Sequence, residues 1–353
     1  MNMAWAPARV HRVSLDDRAG IARIAAWLAA REDATLFHDP RWLRAVRDGL
    51  GHQCFCLVAE GAGGEPAGLV PLTAIRSRLF GSALVSSAFG VGGGPLADRP
   101  EVVATLADAA VRLAREQRLG SIEWRGGTAP PDWVADGDTY AGFVAPLAPD
   151  DDAQLLAIPR KQRAEVRKAL TNGLEVAVGR DAAALAEHHR VYAASVHNLG
   201  TPVFSPRLFA AMADSFGPDA EVLTVRGKGR ALASVLFFHH RDTIMPYWGG
   251  GTAEARPARA NDLMYFALMS HARARGCTRF DFGRSKTGTG AFSFKKNWGF
   301  TPQPLVYWRK SLDGHARVTN PNSPRYARKV ELWKRLPLPV ANLLGPFVSR
   351  GLG

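Results

Sequence analysis

The chain has 353 residues, of which 46% are hydrophobic and 22% are charged, so it is long enough for two domains with hydrophobic cores and does not resemble a disordered protein. Its three cysteines show no spacing typical of disulfide frameworks or zinc sites, and we predict a reducing compartment and no bound metal. The net charge of +13 is concentrated in residues 158–168, 279–296 and 314–353. This pattern indicates an anionic substrate or partner, although a generally basic proteome would give the same excess.

The N-terminus shows no targeting signal. Its first residues, MNMAWAPARVHRVS, lack the apolar core of a signal peptide, and no run in the chain reaches the roughly 18 apolar residues that cross a bilayer. The sequence therefore predicts a cytoplasmic protein. We expect no DNA among its anionic partners.

The first half of the chain contains a pattern that the second half repeats. Residues 38–60 read as a helix with Pro40 in its first turn and then a strand, and residues 204–226 read as the same pair with Pro206. In both halves a Gly-rich hairpin, a second strand, a Gly-rich turn, a long apolar helix and a short strand follow. The recurrence of these elements in one order predicts a duplicated fold.

This order of elements is that of the GCN5-related acetyltransferase (GNAT) unit, and the alternation of strands with helices independently favours an α/β fold. We predict a mixed α/β (α+β) protein with two tandem GNAT-like lobes, each a mixed β-sheet flanked by helices. The predicted boundaries give an N-terminal lobe at residues 1–150, a catalytic C-terminal lobe at 151–313 and a basic, Pro-rich appendage at 314–353.

Five segments resemble the FemAB-related peptidoglycan aminoacyltransferases and, more narrowly, the FemAB-like subgroup associated with PEP-CTERM/exosortase and exopolysaccharide systems. These segments are residues 158–179, 200–209, 261–276, 280–300 and 336–346. The resemblance implies a double acetyltransferase-like fold. It also implies an enzyme that moves an acyl or aminoacyl group onto an amine of a cell-envelope or exopolysaccharide-related precursor.

The resemblance leaves the donor open. Acyl-CoA, an acyl carrier protein and aminoacyl-tRNA are the candidates, and we expect no tightly bound cofactor. The well-characterised branch of the family uses aminoacyl-tRNA, whereas this sequence lacks the long helical hairpin that some of those enzymes carry for tRNA. The acceptor is expected to be anionic or lipid-linked. One alternative function is an aminoacyl-tRNA-dependent, peptidoglycan-type aminoacyltransferase. Another is a non-catalytic scaffold that binds an anionic polymer or a membrane.

Lys295 is the first candidate catalytic residue. Acetyltransferase units commonly end in Y-x-x-x-G-F, and FSFKKNWGF places Lys295 at the position of the tyrosine, four residues before Gly299 and next to Phe294. The resemblance to FemAB-type enzymes assigns the lysine of their F-K motif to the oxyanion or the leaving group. Its neighbour Lys296 points about 100° away on a helix and serves as a control.

Asp281 is the second candidate catalytic residue. Period-two alternation on the strand FDF places Phe280 and Phe282 on one face and Asp281 on the other, where it acts as a base or pairs with a cation. An ordinary structural ion pair remains an equal alternative. The corresponding short strand of the first half carries Glu123.

Two further groups of residues are candidates for binding substrates. Gly249, Gly250 and Gly251 form a Gly-rich turn before a helix, where backbone N–H groups can hold a phosphate or a pantetheine chain, or simply make the turn. Arg284 and Lys286 lie in FGRSKTGTG and suit a diphosphate or carboxylate. The other predicted substrate-binding residues are Tyr247, Trp248, Asn261, Phe294, Arg163 and Arg167.

The C-terminal tail combines a basic, aromatic start with an uncharged stretch, residues 336–348, that three prolines interrupt. It is too short and too broken to span a membrane. Two interpretations remain open: peripheral contact with the anionic inner membrane, or packing on a lobe.

Overall fold

A computed structural model describes residues 9–314 and 324–353 of the chain. The described residues divide into two compact units, each discontinuous in sequence. The first unit contains residues 9–137, 305–314 and Arg350–Gly353, and the second contains Asp138–Pro304 and residues 324–349.

The N-terminal part of the chain supplies six strands and three helices. The strands are β1 (Arg9–Val13), β2 (Gln53–Glu60), β3 (Pro66–Ser77), β4 (Gly81–Ser86), β5 (Leu96–Ala97) and β6 (Ser121–Arg125). The helices are α1 (Arg18–Ala29), α2 (Pro40–Leu50) and α3 (Pro100–Glu116). Short 3-10 helices occupy Leu36–His38, Gly217–Asp219 and Arg350–Leu352.

The rest of the chain supplies the remaining elements. In chain order these are β7 (Val134–Pro146), α4 (Asp151–Ala157), α5 (Arg160–Thr171), β8 (Glu175–Gly179), α6 (Ala182–Asn198), α7 (Pro206–Phe216), β9 (Ala220–Gly227), β10 (Arg230–His240), β11 (Thr243–Gly251), α8 (Ala255–Ala258), α9 (Ala260–Ala274), β12 (Arg279–Lys286), α10 (Gly290–Asn297), β13 (Gln303–Ser311), α11 (Pro324–Lys334) and α12 (Leu338–Ser349).

The helices that open the two repeats begin and end by the same devices. The Asp39 carboxylate accepts a hydrogen bond from the Arg41 N–H at 2.8 Å and caps α2, and Ser205 caps α7 in the same way. Proline occupies the first turn of both helices, where its missing N–H removes no intrahelical bond. A glycine with positive φ, Gly51 or Gly217, ends each.

The two units share one strand order. In the first, β1, β2, β3 and β4 pair antiparallel in succession, β4 pairs parallel with β6, and β6 pairs antiparallel with β13. In the second, β8, β9, β10 and β11 follow the same antiparallel series, β11 pairs parallel with β12, and β12 pairs antiparallel with β7. The mixed α/β fold is therefore confirmed, and the predicted repeat has its structural counterpart.

Helices cover both faces of each sheet. In the first unit, Leu57 of β2 packs with residues of α3, whereas its neighbour Val58 packs with residues of α1 and α2. In the second unit, α5 and α9 lie over one face, and α6 and α7 cover the other through contacts such as that between Phe209 and Trp248. Strands buried on both faces explain the nearly continuous apolar runs of β3 and β10.

The last strand of each sheet comes from a part of the chain that the predicted boundaries assign to the other lobe. Residues of β7 after Gly137 belong to the second unit, although we predicted that the first lobe extends to residue 150. Residues of β13 after Pro304 belong to the first unit, although we predicted them in the second lobe. The final strand of each sheet therefore lies outside the repeat that supplies the other strands of that sheet.

The C-terminal residues, predicted as an appendage, are divided between the two units. The helices α11 and α12 pack on α6 in the second unit, and the His197 Nε2 atom lies 3.0 Å from the Leu336 carbonyl oxygen. The last residues belong to the first unit, where the Arg350 carbonyl oxygen lies 2.9 Å from His52 Nε2. Within the two described ranges, no helix has the length and apolarity needed to cross a membrane.

Candidate active site

The sheet of the second unit opens between β11 and β12. These parallel strands pair only at Thr243 with Arg279 and at Ile244 with Phe280. Beyond that point β12 stays paired with β7, whereas β11 stays paired with β10 as far as Gly251. The two strands therefore separate and leave an opening between their C-terminal halves.

A bulge in β12 shapes the wall of this opening. Asp281 pairs with Val144 of β7 and Arg284 pairs with Gly142, so two residues of β12 lie opposite one residue of β7. Gly283 within the bulge has a φ of 65°, a conformation that glycine adopts without a Cβ penalty. Its N–H donates a hydrogen bond of 2.7 Å to the Asp281 carboxylate.

Lys295 reaches this bulge from α10. The Thr289 hydroxyl caps the helix by accepting a hydrogen bond from the Phe292 N–H. Lys295 Nζ then donates to the carbonyl oxygens of Gly283 at 3.2 Å and Arg284 at 2.9 Å. It also lies 5.3 Å from the ring centroid of Phe143, which supplies a cation–π contact. An ammonium group has three donors, so these bonds leave one for a substrate oxygen.

Burial changes the ionisation of both candidate catalytic residues. It lowers the pKa of Lys295 to about 8, while the charge of Asp281 acts in the opposite direction. Burial also raises the pKa of Asp281, against the hydrogen bond from Gly283 and the charge of Lys295. A strongly shifted lysine beside a shifted carboxylate, at an opening in the sheet, is typical of catalytic sites.

The neighbouring lysine has a different environment. Lys296 is exposed, and its Nζ lies 5.9 Å from the ring centroid of Phe292. Successive residues of a helix point about 100° apart, so only Lys295 of this pair reaches β12. The chain therefore provides its own control for a role of Lys295.

The predicted substrate-binding residues of β12 and α10 lie near this site. Arg284 follows the bulge, and its guanidinium carbon lies 4.6 Å from the ring centroid of Tyr140. Lys286 ends β12, where its carbonyl oxygen accepts a hydrogen bond of 2.7 Å from the Thr289 hydroxyl. Phe294 is half-buried and packs on Tyr265, at a centroid distance of 5.5 Å. Its contacts are those of a core residue.

The three glycines lie in a strand and not in the predicted turn. Gly249, Gly250 and Gly251 are the last residues of β11, and none has a positive φ. A larger residue would not fit at these positions, because neighbouring side chains approach closely. A Cβ on Gly250 would lie 2.1 Å from Ser195 Oγ, and one on Gly251 would lie 2.8 Å from Asn261 Oδ1. These contacts place Asn261, at the start of α9, beside the end of β11.

The two aromatic residues of β11 differ in burial. Trp248 is 6% exposed and packs edge-on against Phe209 at 5.4 Å, which indicates a core role. Tyr247 is half-buried and is the extra residue of a bulge, because Trp248 pairs with Leu236 while Pro246 pairs with Phe237. Tyr247 is therefore the more accessible of the two.

The two arginines of α5 have different surroundings. Arg163 donates to the carbonyl oxygens of Leu156, at 2.7 Å, and Ile158, at 3.0 Å, and so satisfies backbone groups at the C-terminal end of α4. Arg167, one turn further on, is exposed. A structural role thus accounts for Arg163, and binding of substrate by either arginine stays a prediction.

Sequence reasoning missed the residues that β7 brings to the site. Phe143 and Tyr140 contact Lys295 and Arg284, yet the predicted boundary at residue 150 assigned both aromatic residues to the first lobe. Nothing local in the sequence indicates which sheet a final strand joins. In the described ranges 9–314 and 324–353, no group of three or more His, Cys, Asp or Glu residues is arranged to hold a metal ion.

Comparison with known proteins agrees with this geometry. A family model described as an acetyltransferase (GNAT) domain matches residues 160–296, which include the opening, β12 and both lysines of α10. No curated protein matches the chain at a significant level.

Several solved structures share the fold at low sequence identity. FemX is 15% identical, with a TM-score of 0.65 over 86% of this chain and 98% of its own. The C-terminal domain of a putative lysylphosphatidylglycerol synthetase from Agrobacterium fabrum is 14% identical, with a TM-score of 0.55 over 82% of this chain and 91% of its own. A tandem GNAT protein from the clavulanic acid biosynthesis pathway is 13% identical, with a TM-score of 0.52 over 87% of this chain and 99% of its own.

The domain match and the fold together define the class of this protein. It is an acyltransferase with a GNAT-type domain in its second unit, set in a tandem GNAT-like architecture.

Proposed function

We propose that the second unit transfers an acyl or aminoacyl group onto an amine of a cell-envelope or exopolysaccharide-related precursor. The observation that carries this proposal is the placement of Lys295, whose half-buried ammonium group lies at the bulge of β12, where β11 and β12 separate. A fixed cation in a site of low polarity stabilises a developing oxyanion far better than one in water.

The proposed chemistry uses both candidate catalytic residues. The acceptor amine attacks the carbonyl carbon of the donor, a C–N bond forms, and the carbonyl oxygen becomes an oxyanion that Lys295 stabilises. The Asp281 carboxylate takes the proton that the amine loses, a role for which its raised pKa suits it. The C–S or C–O bond of the donor then breaks, and Lys295 stabilises the negative charge of the leaving group. The proton that Asp281 took from the amine passes to the leaving group, which restores the carboxylate.

The edge of β11 fits an extended donor. Its pairing with β12 covers only Thr243 and Ile244, whereas β11 continues to Gly251, so the C-terminal half of β11 borders the opening. A pantetheine chain carries amides that can pair with such an edge as an added strand does. Arg284 and Lys286 would bind donor phosphates, and Tyr247 and Asn261 would contact the acceptor. Acyl-CoA, an acyl carrier protein and aminoacyl-tRNA remain the candidate donors.

Two similarities, one of fold and one of sequence, support the proposal of a cell-envelope acceptor. The fold is shared with FemX and with a domain of a putative lysylphosphatidylglycerol synthetase. The segments around residues 158–179 and 280–300 resemble FemAB-related enzymes. On the same segments we place the chain in the FemAB-like subgroup associated with PEP-CTERM and exopolysaccharide systems.

A transfer assay tests the proposal. The purified full chain is incubated with an amine acceptor and, separately, with radiolabelled acyl-CoA, acyl carrier protein loaded with the acyl group, and aminoacyl-tRNA. We expect label to reach the amine from one donor class, and to do so far more slowly with Lys295→Ala. Transfer only from aminoacyl-tRNA would identify a tRNA-dependent aminoacyltransferase. Anionic-ligand binding without transfer from any donor would instead support the scaffold hypothesis.

A further inference from the structure

Helix α12 exposes one apolar face. Its exposed residues follow the i, i+3, i+4, i+7 spacing of a single helix face, and they are Val340 (40% exposed), Leu343 (70%), Leu344 (42%) and Phe347 (73%). Helix α12 contains no charged residue. A contiguous apolar face of this kind marks a surface that binds something.

The opposite face fixes the orientation of the helix. Ala341 is 2% exposed and Ser349 is fully buried. Gly345 is buried against Val203, where a Cβ would lie 2.8 Å from the Val203 Cγ1 atom. Small residues therefore seat α12 on the second unit, and the apolar face is held outward and not folded inward.

Basic residues precede this apolar face. In the sequence, residues 324–335 contain five Lys or Arg and one acid, Glu331. Among the described side chains, Lys334 pairs with Glu331 at 2.9 Å, Arg335 is exposed, and Leu332 is 66% exposed. Exposed apolar side chains next to a surplus of positive charge complement the acyl chains and the anionic headgroups of a bilayer, respectively.

We propose that α12 is an interfacial anchor that docks the protein on an anionic membrane surface. Leu343 and Phe347 would enter the boundary between headgroups and acyl chains, while Lys329, Lys334 and Arg335 would meet the headgroups. At about 1.5 Å per residue, the 12-residue helix is too short to span a bilayer and lies in its plane. The anchor does not depend on which donor or acceptor the enzyme uses.

Vesicle sedimentation tests the anchor. The full chain is mixed with vesicles of phosphatidylcholine alone or with 30% phosphatidylglycerol, at low and high salt. We expect binding to the anionic vesicles, weaker at high salt, and at least about tenfold weaker for Leu343→Asp/Phe347→Asp. Leu156→Asp is the matched control, because Leu156 is 63% exposed on a helix of the same unit yet lies outside α12. Thermal unfolding of all variants checks that they are folded.

Each other outcome would overturn the anchor. Equal binding of the double variant and the control would show that α12 is not the contact. Equal binding to neutral and anionic vesicles would remove the role of the basic residues. No binding to either vesicle, together with a dimer in solution that the double variant abolishes, would show that a second copy of the chain covers this face.

Discussion

The two units have one strand order but differ where the parallel pair separates. In the first unit, β4 and β6 pair as far as Val85 and Glu123, and hydrogen bonds from neighbouring residues fill the space beyond this pair. The Arg125 N–H donates to Ser86 Oγ at 2.8 Å, and the Arg125 carbonyl accepts from the Gly94 N–H at 2.9 Å. In the second unit the corresponding strands remain apart, and Lys295 lies at the bulge of β12.

The acid of the short strand also has different partners. In the first unit, Glu123 forms ion pairs with Arg125 at 3.0 Å and Arg309 at 3.1 Å. In the second, Asp281 accepts a hydrogen bond from its own strand and interacts with a lysine of lowered pKa. No helix follows β6 in the first unit, whereas α10 follows β12 in the second. These differences support our proposal that the second unit is the catalytic one and that the first is structural.

The largest expected effect separates the two adjacent lysines of α10. Lys295→Ala removes the cation at the bulge and should lower kcat about 100- to 1000-fold, the scale on which loss of one oxyanion donor acts. Lys296→Ala changes an exposed side chain and should change kcat by less than about twofold. Steady-state kinetics with the donor found in the transfer assay measures both. Equal, small effects would remove Lys295 from the mechanism.

Removal of the Asp281 carboxylate should lower kcat somewhat less than the loss of Lys295. Asp281→Asn keeps a hydrogen-bond acceptor for Gly283 but cannot accept a proton, and we expect kcat to fall about 100-fold. Since the charge of Asp281 raises the pKa of Lys295, its loss lowers that pKa. The pH at which the remaining activity declines should therefore fall below the wild-type value. An unchanged pH profile would show that the two residues are not coupled.

In the first unit the corresponding change should affect stability and not catalysis. Arg125 is 4% exposed, and its guanidinium bonds Glu123 and the Gly90 carbonyl. Arg125→Ala leaves these buried groups with fewer partners and should lower the free energy of unfolding by about 3 kcal/mol. Urea unfolding followed by tryptophan fluorescence measures this loss. A drop in kcat of the folded variant comparable to that of Lys295→Ala would contradict the division of roles.

The smallest expected effects distinguish the two arginines of α5. Arg163→Ala frees the α4 carbonyls and should cost about 1 kcal/mol of stability. Arg167→Ala should leave stability unchanged and weaken binding of an anionic donor about threefold at low salt, less at high salt. Isothermal titration at two salt concentrations measures the second effect. Salt-independent binding would argue against an electrostatic role for Arg167.

The sequence was enough to predict the order of elements in each unit, because helix caps, prolines and apolar periodicity are local signals. The different surroundings of Lys295 and Lys296 were also predictable from the phase of α10, whereas a catalytic role for Lys295 stays a prediction. The assignment of β7 to the sheet of the second unit, and of β13 to that of the first, was not predictable, because strand partners distant in sequence leave no local pattern. The glycine runs were ambiguous for a related reason: close packing at Gly250 and at Gly94 selects glycine as strongly as a turn does.

The pH dependence of kcat tests the central claim, that Lys295 acts as a cation. With a pKa of about 8, Lys295 is charged below this pH and neutral above it. Wild-type kcat should therefore decline as the pH rises through about 8, and Lys295→Arg, which keeps its charge, should retain its activity to beyond about pH 10. Both proteins are assayed with one acceptor, so that ionisation of the acceptor amine affects both profiles equally. A wild-type kcat that rises through pH 8, with the same profile for Lys295→Arg, would contradict the account.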